Sequence, residues 1–312
     1  MLREVVCLLG SACVVCLCAV LSTPRLPPRT LVPRPCVWSF AGYMPSLWER
    51  EWRAHVDEWQ DSVCARMDVP RVEAWAAMET ANDMVFSRME YVNTCTGERL
   101  VESLEPLVGL LRHPYFCTKG EAFLTDKSYM VVPRTAAHRI GLRHAALFFD
   151  AGASLYDDGL GGASQKWMVE QYAARGVHWH GIWAWEATAL SPVEVWRRVP
   201  RSLKPVYHWY NVPVETEGGE NPLDFIRQMA TVDDHVVLKI DIDTPEVETR
   251  LVELLLESKE LLALVDELYF EHHVDVAPMH PYWGRVPGTS LSDSYRLFSE
   301  LRKRGVAAHA WV

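Results

Sequence analysis

Five acids, one amide and two histidines in this sequence stand at or just beyond the ends of short apolar runs: Asp150, Glu186, Asn211, Asp241, Asp243, Glu271, His272 and His273. Carboxylates can accept ribose hydroxyls, hold a divalent cation or act as a general base, and imidazole titrates near neutral pH. Charged groups are costly to bury without a partner, so their collection behind apolar runs is more than composition predicts. Glu186 closes Ile182-Trp-Ala-Trp-Glu186 and suits the two hydroxyls of a ribose, with helix capping as the plainer alternative. Asp241 and Asp243 follow Val236-Val-Leu-Lys-Ile240, and period-two alternation places both carboxylates on one face if the strand runs that far. Such a pair could bind a divalent cation, with Glu271, His272 and His273 as mixed oxygen and nitrogen ligands. The blander reading puts Asp243 at the next helix N-terminus and makes His272 and His273 packed, hydrogen-bonded side chains.

The elements that must position these groups are legible as alternation. Ala145 to Phe149 is a continuous apolar run, as for a strand buried on both faces, and Asp150-Ala-Gly152 turns directly after it. Gly152 allows a tight turn and a close ligand approach, and Gly159, Gly161 and Gly162 precede a helical pattern. A strand, a glycine-bearing loop and a helix N-terminus form a cofactor-binding geometry. The inserted loop suits a cofactor without a pyrophosphate better than a dinucleotide. Strands are expected at 147–150, 181–186, 206–212, 236–242, 267–272 and 306–312, and helices at 165–175, 192–199, 223–230, 245–257 and 291–304. Ser191-Pro-Val-Glu194 and Thr244-Pro-Glu246 carry helix-start signals. The fold class is therefore α/β, a doubly wound, mostly parallel Rossmann-like sheet over residues 141–312, with ligands at the carboxyl ends of its strands.

The rest of the chain bounds its setting. At 312 residues, 49% hydrophobic and 23% charged, the protein is globular, and a net charge of −10 argues against a nucleic-acid partner. Val5 to Leu21 is apolar behind Arg3, so residues 1–22 read as a signal-anchor or cleaved signal peptide. Residues 23–36 form a Pro-rich stem, and the implied location is a secretory-pathway membrane with a lumenal domain, or secretion after cleavage. Cys36, Cys64, Cys95 and Cys117 allow two disulfides in any of three pairings, or four buried thiols. Residues 37–140 read as a mostly helical extension, either a cover for the sheet or a lid. Trp48, Trp52, Val56, Trp59 and Val63 lie on one helical stripe there, and helical patterns extend from Pro70 to about Val92 and from Glu98 to Leu111.

With those residues in place, Phe149-Asp-Ala-Gly-Ala153, Ala184-Trp-Glu186, Tyr210-Asn-Val-Pro-Val214 and Leu238-Lys-Ile-Asp-Ile-Asp243 resemble, in order and position, the FkbM-type methyltransferase family, in particular its membrane-anchored algal and protist members. The resemblance covers 145–312 and implies a class I fold, S-adenosylmethionine as cofactor, and methylation of a hydroxyl on a small molecule or glycan. It places Asp150 and Gly152 against the methionine part, Glu186 on the ribose and Asn211 near the adenine. Asp241 falls close to the transferred methyl, with Asp241, His272 or His273 as base. This chain departs from the family in Asp243-Thr-Pro245, where an acid and glycine are usual, and in its longer first loop, and the family's final antiparallel strand is not expected after 306–312. Two other readings stand beside it. One is a Golgi-type glycosyltransferase using Asp241-Ile-Asp243 for manganese, and the other is a non-catalytic lumenal binding domain on the same scaffold.

Overall fold

The alternation expected over the second half of the chain is realised as six parallel strands: β4 (Ala146–Ala151), β5 (Gly181–Trp185), β6 (Tyr207–Tyr210), β7 (His235–Ile240), β8 (Glu267–Phe270) and β9 (Ala307–Ala310). This is a computed structural model, describing residues 36–132, 145–159 and 161–312. The expected signal or anchor segment, and the stem through Pro35, lie outside the described residues. Among the described residues no helix is long and apolar enough to cross a membrane.

The strand order is β6-β5-β4-β7-β8-β9, and every pairing is parallel. Crossovers run first one way from β4 and then the other, which defines a doubly wound, Rossmann-like sheet. β4, β5, β7, β8 and β9 are buried along their length, as their continuous apolar runs require, and only β6 is a partly open edge. The helices between them follow the sequence signals. Those at Pro192–Arg198, Pro222–Met229 and Pro245–Glu257 start on proline, whose fixed φ suits the first turn and whose missing N–H costs nothing there. The helix Leu291–Lys303 opens on a reciprocal capping box between Ser290 and Asp293.

The N-terminal extension departs from expectation. Its first helix, Leu47–Trp59, is present and buries Trp48, Trp52 and Val56. The helix expected from Pro70 is present as Val69–Ala76, but the rest of that pattern and the one from Glu98 are strands: β2 (Ser87–Asn93) and β3 (Arg99–Leu104) form an antiparallel sheet with β1 (Trp38–Met44), which precedes the first helix. The reason lies in the period. Ser87, Met89 and Tyr91 are buried while Arg88 and Glu90 are not, a two-residue repeat that Met and Ala content had masked. The break at Thr94 to Gly97 is the hairpin turn, with Asn93 Oδ1 accepting from the Cys95 and Thr96 N–H groups and Gly97 at φ 71°.

This sheet covers the β9 edge of the large sheet. Met89, Tyr91 and Leu104 pack on Ala307, and the Tyr129 hydroxyl donates to the Ala310 carbonyl at 2.5 Å. Beneath them Arg302, fully buried, reaches Glu105 Oε1 at 3.0 Å, Glu49 Oε2 at 3.5 Å and the carbonyls of Glu105 and Ala308, while His309 Nδ1 lies 3.0 Å from Glu105. A buried network of this kind costs about 3–5 kcal/mol to break at one partner. The extension thus packs as a cover on the β9 side of the sheet, within one unit, Cys36–Val312. Two disulfides staple it, Cys36–Cys95 and Cys64–Cys117, one of the three pairings open to the sequence.

Candidate functional site

The strand order reverses between β4 and β7, and the chain leaves their carboxyl ends in opposite directions, opening a crevice. A cleft of about 780 Å³ lies there, inside the range of roughly 300–1,000 Å³ usual for small-molecule sites. Its walls are the glycine loop after β4, the loops after β5 and β6, and Asp241 to Thr244 after β7. The helix Ser164–Ala173 starts at this wall with no side-chain cap, and in its first turn the Ser164 and Lys166 N–H groups donate to the Gly162 and Tyr156 carbonyls at 2.9 and 3.0 Å.

Gly152 lines the cleft, but its glycine is demanded by the protein itself. Its φ is 85°, and a Cβ there would sit 1.6 Å from the Asp241 carbonyl oxygen. Its N–H donates to the Trp185 carbonyl at 3.0 Å. The close approach expected of a ligand is made by the neighbouring main chain.

Asp150, expected against the cofactor, is buried under the floor of the cleft. It lies 3.1 Å from Lys239 Nζ, which also contacts Asp241 Oδ2 at 3.2 Å and the Gly152 carbonyl at 2.9 Å. Burial alone would lower the lysine's pKa, but the two carboxylates outweigh it and hold the ammonium charged. Burial raises Asp150, and Lys239 offsets part of that. This lysine, missed in the sequence reading, ties the β4 and β7 loops together. A single base inside Val236-Val-Leu-Lys-Ile240 was its signal, because lysine is rarely buried unpaired.

Glu186 is placed in the cleft as expected. One oxygen accepts from the Ser154 N–H at 2.9 Å and the other from the Thr188 N–H at 2.6 Å, which aims the carboxylate and leaves lone pairs for a ligand. Asn211, expected near an adenine, is outside the cleft wall. Its amide donates to the carbonyls of Glu186 and Thr188 at 2.7 and 2.6 Å and accepts from the Leu190 N–H at 2.9 Å. It positions the Glu186 loop.

Asp241 and Asp243 both reach the cleft but do not form a shared strand face. Strand β7 ends at Ile240, and Asp243 adopts a left-handed φ of 53°. Asp241 Oδ2 accepts from Trp311 Nε1 at 3.1 Å. Burial raises its pKa and Glu271 adds to that, against Lys239, so it is a stronger base than a free aspartate. Asp243, 74% exposed, turns instead toward His273, at 4.0 Å, and groups with Glu271.

The histidines separate from the cleft. His272 Nδ1 pairs with Ser294 Oγ at 3.0 Å, its ring stacks on Phe270, and burial with the adjacent His273 pulls its pKa to about 4. It is a packed side chain that does not line the cleft, where a base is expected. His273 also lies outside the cleft wall, stacked on Trp283 and 3.2 Å from Glu271 Oε2. Glu271 in turn is clamped by Arg112 at 2.5 Å and by Trp283 Nε1 at 3.1 Å. Arg112 and Lys127 come from the N-terminal extension. Lys127 donates to the Gly161 carbonyl in the glycine loop, and burial together with Lys239 lowers its pKa to about 8. No local pattern marks these two, since their partners lie far along the chain.

Among the described residues the cleft wall therefore carries four carboxylates, Asp158, Glu186, Asp241 and Asp243, and no Lys, Arg or His. Two of the four are paired from behind the wall, Asp241 with Lys239 at 3.2 Å and Asp158 with Arg198 at 3.6 Å, and Glu186 and Asp243 face the cleft without such a Lys or Arg partner among the described residues. Fold and site together define a Rossmann-like α/β protein with an acidic cleft at its switch point. No protein-family model matches the chain, and no match was found among curated proteins or solved structures.

Proposed function

We propose that this chain is an S-adenosylmethionine-dependent O-methyltransferase acting on a hydroxyl-bearing small molecule or glycan in the secretory pathway. The single observation that carries the reading is the acidic cleft without a base on its wall. A sulfonium cofactor is cationic and lacks phosphates, so it complements such a wall, whereas a dinucleotide or a free nucleotide sugar would need cations there. Two disulfides support the oxidising compartment that the N-terminal apolar segment implies.

The cofactor would supply an electrophilic methyl group. The chain's own residues bind, orient and deprotonate. Glu186, already aimed by two backbone N–H groups, accepts ribose hydroxyls. The dipole at the N-terminus of Ser164–Ala173, where Ser164 lines the cleft, would favour the carboxylate of the methionine part. Asp241, held by Trp311 and Lys239 and raised by burial, takes the proton of the acceptor hydroxyl, while Lys239 bears the balancing charge. Transfer then depends on alignment in the cleft more than on covalent help.

The reading is tested by thermal shift with S-adenosylhomocysteine. At 100 times its dissociation constant it should stabilise the fold by about 2.7 kcal/mol. UDP with manganese producing the shift, and S-adenosylhomocysteine producing none, would replace this reading with glycosyl transfer. A cooperative melt that responds to neither would favour a binding domain.

A further inference from the structure

Beside the cleft, between the ends of β7 and β8, Asp243, Glu271 and His273 bring one ligand atom each within 4.8 Å of one another. We infer that these three side chains form a binding site for a divalent transition-metal ion of the manganese-to-zinc series, on the rim from which it reaches an oxygen ligand in the cleft. The site does not rest on the cofactor reading.

Geometry points to an ion here. His273 is only 8% exposed, and its buried Nε2 faces two carboxylates, Glu271 Oε2 at 3.2 Å and Asp243 Oδ1 at 4.0 Å, without a well-aligned hydrogen bond to either. Two ligands each about 2.1 Å from a common ion lie about 3.0–3.4 Å apart at right or tetrahedral angles, and about 4.2 Å apart when opposed. The two separations from His273 Nε2 fall in that span. Glu271 is prepared for such a role, because Arg112 and Trp283 both occupy Oε1 and leave Oε2 toward the histidine. Glu248 supplies outer support. Its Oε1 accepts from the Ile242 N–H at 2.7 Å, fixing the turn that presents Asp243, and its buried Oε2 has no partner.

Donor chemistry points the same way. Two carboxylates with one imidazole and no thiolate suit manganese or zinc better than magnesium or calcium. Asp243 also lines the cleft, so an ion on it has an open side toward an acceptor hydroxyl, whose oxygen it would orient.

The test is Mn(II) titration of the chelator-stripped full chain, followed by electron paramagnetic resonance, with Zn(II) as competitor. One Mn(II) per chain is expected, displaced by Zn(II), with a histidine-nitrogen modulation in the spin-echo signal. Asp243→Asn, at an exposed position, should weaken binding at least tenfold, and His273→Gln should remove the nitrogen modulation. Asp158→Asn, elsewhere on the cleft wall, should change neither. Absence of stoichiometric binding, or binding indifferent to both Asp243→Asn and His273→Gln, would overturn the site. S-adenosylhomocysteine affinity, read on the same chain, reports separately on the cofactor, so manganese without it keeps the site and drops the methyltransferase.

Discussion

Replacing Gly152 by alanine isolates the contact on which the cleft is built. Gly152 and Gly162 have nearly the same left-handed φ, 85° and 84°, but a Cβ at Gly162 meets nothing within 4 Å, whereas one at Gly152 falls 1.6 Å from the Asp241 carbonyl oxygen. The left-handed conformation alone costs alanine about 1–2 kcal/mol. Relieving the clash at Gly152 requires the β4 and β7 loops to part by well over an ångström, an overpacking cost of about 1–3 kcal/mol more. Gly162→Ala should therefore lose about 1–2 kcal/mol, and Gly152→Ala about 2–5 kcal/mol, by urea denaturation. Ligand affinity should fall at least tenfold in Gly152→Ala as the wall moves. Equal losses in the two variants would refute the reasoning, because they would show that Asp241 does not press on Gly152.

Three other outcomes follow from the same structure. Non-reducing peptide mapping should recover Cys36–Cys95 and Cys64–Cys117, and removing either bridge should cost about 4 kcal/mol in the chain-entropy treatment of loops of 59 and 53 residues. Any other pairing would contradict the hairpin and its staples. Arg302→Met should destabilise by about 3–5 kcal/mol, since Glu49 and Glu105 would be left buried with their charge uncompensated; a neutral result in thermal or urea unfolding would deny the network. Lys127, with a pKa near 8 in the fold against 10.5 unfolded, binds fewer protons in the folded chain across that interval. Stability should then rise with pH between about 8 and 10.5, by about 3 kcal/mol at most, relative to Lys127→Met. A difference between the two proteins that stays flat with pH would remove the burial penalty assigned to this ammonium.

The parallel sheet was legible because its central strands, β4, β5 and β7, are largely apolar and suit burial on both faces. Proline at the helix starts fixed several boundaries to within a residue or two. The hairpin of β2 and β3 was not legible, because its residues satisfy a helical composition while alternating with period two, and the disulfide and β9 contacts that select the strand are long-range. In the site, Glu186 and Asp241 could be placed from strand ends alone. Asn211 and His272 could not, since whether a polar group faces a ligand or braces a loop depends on partners elsewhere: Leu190 and Thr188 for Asn211, Ser294 for His272. The shared face expected of Asp241 and Asp243 failed for a local reason, the left-handed turn at Asp243 that follows the end of β7. Lys239 and Lys127 show the opposite limit, since buried cations are set by carboxylates and carbonyls that no spacing rule connects to them.

The central claim is that the acidic switch-point cleft takes a cationic, phosphate-free cofactor on Glu186. Titration calorimetry of the full chain with S-adenosylmethionine and with NAD tests it most directly. The account predicts one S-adenosylmethionine per chain, an affinity loss of at least tenfold, about 1.4 kcal/mol, in Glu186→Gln, and no heat with NAD. Binding of NAD with none of S-adenosylmethionine, or S-adenosylmethionine binding that ignores Glu186→Gln, would contradict it.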